Sequence, residues 1–342
     1  MDKKIVITGH GLAGCVLAMT CYRREIPFRI IGHPQTGEAS MASSGLIAPI
    51  TGRRYVKAWR VDEFVPKALD FYRWSESLLG ETFFYPIEIV RFLMHPESKK
   101  AWYKRLDDPE YSQYISVRHY PELEVFQKPY GILTGGFRLD TPKWVRAVRH
   151  FLQEKKLLEF TESPFVIPKE NHSHWVTATG AIDSSLMPKI IPNKGESLIV
   201  HMPEWRIQQV VKEEVYIVPL VEKSMFWIGS DYAPWPDHPD PTEEAKRRML
   251  ESIRKVYNGP LEVQEHLAGI RPTVNDRRPL IGRFPGKEDA YIFNGMGTKG
   301  TSLAPFWADE LLSLILQGKA LSEEVDPARW IHRPDFGKPE NV

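Results

Sequence analysis

Gly9-His10-Gly11-Leu12-Ala13-Gly14 follows directly on the β-branched run Ile5-Val6-Ile7-Thr8, and Val16, Leu17, Ala18 and Cys21 continue at helical spacing. The three glycines have separate uses. Gly9 permits a tight turn, Gly11 lets backbone approach a pyrophosphate, and Gly14 lets the helix pack on the strand. Leu12 and Ala13 then open a helix whose free N–H groups and positive dipole favour phosphate. A second glycine-rich turn, Gly295-Met296-Gly297-Thr298-Lys299-Gly300, leads through Thr301 and Ser302 into another helical pattern. Two helix N-termini on one ligand suit a cofactor charged at both ends: a pyrophosphate at the first, and at the second a ring that becomes anionic on reduction. A reduced flavin is such a ring. The alternative for either turn is a glycine loop required by packing alone.

The elements that must position these turns can be read around them. Pro27 turns the chain back into a second strand, Phe28–Ile31, so strand, Gly-x-Gly-x-x-Gly, helix and strand fall within about 30 residues, the frame the dinucleotide fingerprint needs. An acidic residue usually ends that second strand and binds the ribose hydroxyls. Here Gly32, His33 and Pro34 stand in its place, with no Arg to favour a 2′-phosphate, so ribose contacts fall to backbone, His33 or Gln35. On this reading Gly32→Glu is expected to tighten the dinucleotide. Residues 36–54 are rich in Gly, Ala and Ser, and Ser40, Ser44 and Gly45 suit a segment lying against a ligand, or equally a plain surface loop.

Further along, Trp59–Leu79 reads as an amphipathic helix with Pro66 as a kink or true start. Residues 83–135 lack alternating helix–strand order. Thr141 caps a helix to Leu152 with Pro142 in its first turn, and Trp175–Gly180 is a buried strand ending in Gly. Residues 196–232 alternate as β hairpins, including Val215–Pro219 and Met225–Gly229. Thr242 caps a helix to Tyr257, Ala290–Asn294 is a strand, and Ser302–Leu316 is a helix.

Composition excludes several classes. The chain has 342 residues with 45 Lys+Arg against 44 Asp+Glu, so no overall charge draws it to nucleic acid, and the length suits two domains or one composite. Cys15 and Cys21 cannot build a disulfide framework or a four-cysteine zinc site. No apolar run approaches the ~20 residues of a membrane span. Leu12-Ala13-Gly14-Cys15 has the form of a lipoprotein cleavage box, but the apolar stretch before it holds Thr8, His10 and two glycines. A cytoplasmic protein is expected.

In their order, the first fingerprint, the Ala/Ser loop ending at Gly45, Trp175–Gly180, Gly269-Ile270-Arg271-Pro272, Asp276, Pro279-Leu280-Ile281-Gly282 and the last glycine turn resemble the FAD-dependent D-amino-acid oxidase superfamily, especially its glycine-oxidase and sarcosine-oxidase branch. Gly297-Thr298-Lys299-Gly300 through Ala304-Pro305 is most similar to the oxidase domain of a bacterial tRNA wobble-uridine-modifying enzyme. The resemblance implies an α/β fold in which a Rossmann-like FAD domain (1–80, 136–195 and 265–342) carries an inserted substrate domain with a mixed or antiparallel sheet (81–135 and 196–264). It implies non-covalent FAD along the glycine turns, Gly32, His33, Ser40, Ser44, Gly45, Phe165 and Gly180. It also implies oxidation of a C–N bond in a small amino acid or secondary amine. Arg271 matches a carboxylate-gripping arginine, and a planar guanidinium suits that work. Tyr216 matches a substrate-contacting tyrosine, and Lys299 stands where the tRNA-modifying relative has Arg.

Other constellations carry less. His172-x-His174 lacks a third ligand, so no metal is expected, and Ser43-Ser44 lacks the strand–elbow–helix of an acyl-transfer nucleophile. Arg53, Arg54, Lys57 and Arg60 form a basic cluster that reads as a solvated face, a cofactor-phosphate neighbourhood or an RNA contact. Three alternatives stay open: a nicotinamide-dependent dehydrogenase, a FAD-dependent oxidase of a modified tRNA base, and a non-catalytic flavoprotein.

Overall fold

The computed structural model describes residues 4–33, 37–162, 173–181, 190–234 and 236–330. Pro34, Gln35, Phe165 and His172 lie outside the described residues. The fold is mixed α/β, built on two main sheets. The smaller runs in the order Leu280–Arg283, Ala290–Asn294, Ser173–Thr177, Lys4–Thr8, Phe28–Gly32, Leu158–Phe160. All neighbours are parallel except the first pair. Lys4–Thr8 lies between Ser173–Thr177 and Phe28–Gly32, so the chain leaves it to one side through a helix and later returns on the other. The strand's C-terminal end is therefore a switch point, where open α/β sheets bind ligands.

The first helix, Leu12–Arg23, is buried from Gly14 to Cys21 because it is enclosed on nearly every side. It packs on the small sheet and between Thr141–Glu154 and the last helix, Gly300–Gln317. Apolar residues at helical spacing on Val61–Leu79 (Phe64, Ala68, Phe71, Tyr72) close the same core. The boundaries shift by local chemistry. Asp140, not Thr141, caps its helix, accepting from Lys143 N at 3.3 Å. The long amphipathic helix begins at Val61 after a left-handed Arg60, and the last helix begins at Gly300.

The larger sheet contains the chemistry-bearing strands. Phe84–Phe92 and Tyr130–Leu139 pair antiparallel, and Ile191–His201 lies between Met225–Gly229 on one edge and Glu262–Thr273 on the other. Tyr130–Leu139, Ile191–His201 and Glu262–Thr273 each run across a boundary expected from sequence, because each continues as one strand, through a register shift in its pairing. Thr242 caps Glu243–Arg254, as expected, and is itself held by buried Glu196, which accepts from Thr242 N at 2.7 Å and also pairs with Lys194 at 3.2 Å. No helix among the described residues is long and apolar enough to cross a membrane.

One bond between helices has a specific origin. Pro305 lies inside the last helix and has no N–H, which leaves the carbonyl of Thr301 without its intrahelical donor. Buried Tyr72 supplies it, donating its hydroxyl to Thr301 O at 3.1 Å. Tyr72→Phe is expected to cost about 1–3 kcal/mol, the penalty for an unsatisfied buried acceptor. The loss should shrink in a Pro305→Ala background, where the new N–H serves Thr301. Urea denaturation of the four proteins checks both statements.

Candidate active site

Two helix N-termini meet at the switch point. Gly9 has φ +100°, and a Cβ there would lie 2.3 Å from Ala178 O. A Cβ on Gly14 would lie 1.8 Å from Gly9 O, so the helix can approach its strand only as glycine. Gly11 is different: its backbone is extended, and a Cβ would meet only Ser40 Oγ, at 3.3 Å. Its open side is where backbone can approach a pyrophosphate. Ser40 Oγ accepts from Leu12 N at 2.9 Å, which brings the Ala/Ser loop to this helix start.

The second turn is fixed from three directions. Asn294 donates to Gly180 O at 2.8 Å and accepts from Gly295 N at 2.8 Å. Gly297 N donates to Pro272 O at 2.8 Å, one residue beyond Arg271. A Cβ on Gly300 would come within 3.0 Å of Leu12 Cδ2, so the two helix starts adjoin. Neither helix has a capping side chain at its N-cap residue or an acid in its first turn, whereas Val61–Leu79 and Glu243–Arg254 each begin with two acids. Two unneutralised positive dipoles beside backbone-lined clefts fit a cofactor with a pyrophosphate and an electron-accepting ring. Thr298 is exposed, Thr301 is buried, and Ser302 Oγ turns back to Lys299 O at 3.1 Å. Burial, then Arg278 and Arg277, push the Lys299 ammonium below the usual lysine range.

The same loops are tied to the larger sheet. Ala42 O accepts from Ser197 Oγ at 3.2 Å and from Trp227 Nε1 at 3.0 Å. Ile270 N donates to Gly37 O at 2.9 Å, and a Cβ on Gly269 would be 2.7 Å from the Ala39 Cα. Gly45, with φ +68°, could carry no side chain without meeting Leu139 O at 1.9 Å, while Ser44 Oγ accepts locally from Leu46 N. The residues 38–45 are thus no plain surface loop. They are clamped between the first helix and a sheet face.

That face carries Arg271 and Tyr216. Lys212, Tyr216, Gly229 and Ser197 stand in one rank across four strands, and Leu267 extends it to the Arg271 strand. Arg271 lies four residues beyond Leu267 in the same ladder, so it projects to the same side. Its Nη1 donates to Asn193 Oδ1 at 3.2 Å and to Asp231 O at 3.4 Å, and its Nη2 to Ser230 Oγ at 2.7 Å. The guanidinium spreads over Gly195, whose Cβ would lie 1.7 Å from Nη2. Burial lowers its pKa, and no carboxylate forms an ion pair with it among the described residues, since Asp231 is taken by Arg248. Burial raises the Tyr216 pKa, which keeps its phenol neutral.

The ribose expectation is corrected. A Cβ on Gly32 would lie 2.8 and 2.9 Å from ring carbons of Phe160 and 3.1 Å from His10 Cγ. The room for an acid is already filled, and His33 instead bonds through Nδ1 to Thr161 O at 2.9 Å. Gly32→Glu must therefore displace two rings. The residues that sequence reasoning missed are His10, Glu38, Arg149, Asn193 and Ser230. Only Glu38, an acid six residues past the strand end, carried any signal. His174 pairs with Asp289 at 3.1 Å, and no metal-binding group occurs among the described residues. Arg53 and Arg54 are exposed, while Lys57 and Arg60 pair with Asp62 and Glu63. Both cysteines are free and buried.

The fold and this cradle suit a flavin dinucleotide. The chain belongs to the FAD dependent oxidoreductase (DAO) family, whose model matches residues 4–314. It is 22% identical to the tRNA 5-methylaminomethyl-2-thiouridine biosynthesis bifunctional protein MnmC of Marinobacter nauticus over 92% of this chain and 56% of that protein. It is 26% identical to the glycine oxidase of Bacillus subtilis over 50% of this chain and 47% of that enzyme. The chain thus spans about half the length of the curated relatives it matches. Iminodiacetate oxidase of Chelativorans sp. BNC1 shares the fold, with TM-score 0.76, 16% identity and coverage of 94% of this chain and 98% of that one.

Gly11→Val is expected to fold yet purify without flavin, whereas Gly14→Val should fail to fold, because only the second substitution meets backbone. Visible absorbance and thermal unfolding together check the pair. Gly32→Glu should weaken FAD, the reverse of the expectation from sequence, as measured by flavin fluorescence on titrating apoprotein.

Proposed function

We propose that this chain oxidises the C–N bond of a small amino acid or secondary amine that carries a carboxylate. What supports this most is Arg271: a desolvated guanidinium with no carboxylate partner among the described residues, on a sheet face clamped to the cofactor loops. A half-buried cation with no paired carboxylate, acted on by Asp231 only at longer range, gains from a substrate carboxylate in a bidentate pair. Asn193, Ser230 and the Asp231 carbonyl fix the plane of the guanidinium, so the carboxylate's orientation is set before substrate arrives. Tyr216 forms an apolar wall with a neutral hydroxyl that makes no hydrogen bond among the described residues and is open to a substrate polar atom.

Held along the Gly9–Gly14 and Gly295–Ser302 turns, FAD would supply the two-electron acceptor for a hydride from the carbon beside nitrogen, leaving an imine for water to hydrolyse to a carbonyl and an amine. The uncapped start of Gly300–Gln317 and the nearby Lys299 offer positive charge where negative charge develops. Oxygen is our preferred electron acceptor over a quinone or protein. A second reading, oxidation of a modified tRNA base, draws on the likeness to the tRNA-modifying protein and on exposed Arg53 and Arg54. Salt-dependent tRNA binding would separate it from small-molecule oxidation.

Anaerobic mixing with amino acids and N-alkyl glycines should bleach the flavin, and air should restore its colour with release of peroxide. Bleaching by none of them would overturn the reading. Arg271→Ala should lower kcat/KM by roughly two or more powers of ten on a carboxylate substrate, with normal flavin content, and Arg271→Lys should recover part. Gly195→Ala should act in the same direction by displacing the guanidinium. If Arg271→Ala slows a carboxylate substrate and its amide equally, the residue does not read the carboxylate.

A further inference from the structure

We infer that the adenosine ribose of FAD is read by Glu38, seated between His10 and Arg149, in place of a carboxylate at the end of the second strand. The inference concerns the cofactor and stands apart from the choice of substrate. Its starting point is the filled space beside Gly32. One of the two rings there is His10, which lies between the first two glycines of the phosphate turn and is 3% exposed. Its Nδ1 is buried with no hydrogen-bond partner, a cost that native structures rarely leave unmet. Its Nε2 lies 3.7 Å from Glu38 Oε1.

Glu38 is held on its other side. Arg149 donates through Nη2 to Glu38 Oε2 at 2.5 Å and through Nε to His10 O at 2.9 Å, so one guanidinium fixes the carboxylate and the turn together. Glu38 is also two residues before Ser40, whose hydroxyl accepts from Leu12 N at the start of the phosphate helix. The pair therefore spans the interval between the pyrophosphate place and the end of the second strand, the interval that the ribose occupies in a dinucleotide. A ribose diol brings two O–H donors. The carboxylate offers acceptors, while the His10 ring, 3% exposed and with its Nδ1 inaccessible, backs the carboxylate from inside the turn. Burial and Arg149 push the His10 pKa down to about 4, so the ring is neutral near pH 7 and brings no cation for a 2′-phosphate. Phe160, 44% exposed and edge-on to His10 with centroids 5.2 Å apart, adds an aromatic wall at the same end. Arg149 is a positioning residue in this arrangement.

The test titrates apoprotein with FAD and with FAD whose adenosine is 2′,3′-dideoxy, reading flavin fluorescence. Wild type should bind FAD about 10-fold to 100-fold more tightly than the dideoxy form, the span of one or two charge-assisted hydrogen bonds. Glu38→Gln should lose most of that preference by weakening FAD, with dideoxy binding nearly unchanged. Equal weakening of both cofactors would show a structural role and overturn the inference. Should Glu38→Gln fail to fold, wild type decides the matter alone: equal affinity for the two cofactors means that no protein group reads the diol. Substrate plays no part in either readout, so a failure here leaves the amine-oxidation reading untouched.

Discussion

Gly14 and Gly9 bring the first helix so close to its strand that no Cβ can intervene, and Gly300 brings the last helix to within 3.0 Å of Leu12 as a Cβ would measure it. The result is a pair of adjoining helix starts with no acid in either first turn. In a free helix such ends are satisfied by caps or water. Here Ser40 takes only Leu12 N of the first helix, no N-cap side chain closes either start, and the other contacts of the site follow from keeping the two together. The Tyr72 hydroxyl on Thr301, the Asn294 amide between Gly180 and Gly295, and Ser40 on Leu12 each tie one more segment to that junction.

The sheet that holds Arg271 depends on the junction as well. It is fastened at Gly37, at Ala42 and at Gly297, three backbone points on the two cofactor segments. Loop backbone bonded to strand residues fixes distance far better than packing between mobile side chains, which is what an oriented reaction needs. Glycines at 195, 229 and 269 keep the face low, so that long side chains can lie across it. The guanidinium of Arg271 spreads over one of these positions and the indole of Trp227 over another.

The glycine turns, their helices and the strand Lys4–Thr8 were legible because each obeys a local rule: β-branched run, glycine at fixed offsets, helical periodicity. Arg271 and Tyr216 could be singled out as candidates only through family resemblance, since nothing local separates a site arginine from a structural one. The strand boundaries were less legible. Ladders such as Ile191–His201 are defined by partners far away in sequence, and no composition change marks where they begin or end. The filled space beside Gly32 was hidden for the same reason: Phe160 is 128 residues away and reaches Gly32 through the edge strand, a contact visible only once Gly32 and Phe160 are seen as register partners.

On the proposed placement of FAD, charge is graded along the cofactor's path. At one end, Arg149 neutralises Glu38, and His10 is held neutral, which leaves a polar but nearly uncharged place suited to hydroxyls. At the other, Lys299 is desolvated beside Arg277 and Arg278, and the ions that shift it are all positive. Like charges gathered next to a helix N-terminus are unfavourable until negative charge arrives. The end of the site where a ring would be reduced thus gains most from the reduced, anionic state, while the adenosine end is indifferent to it. On the proposed placement, that asymmetry would leave binding in both redox states to one end and the electrostatic work to the other.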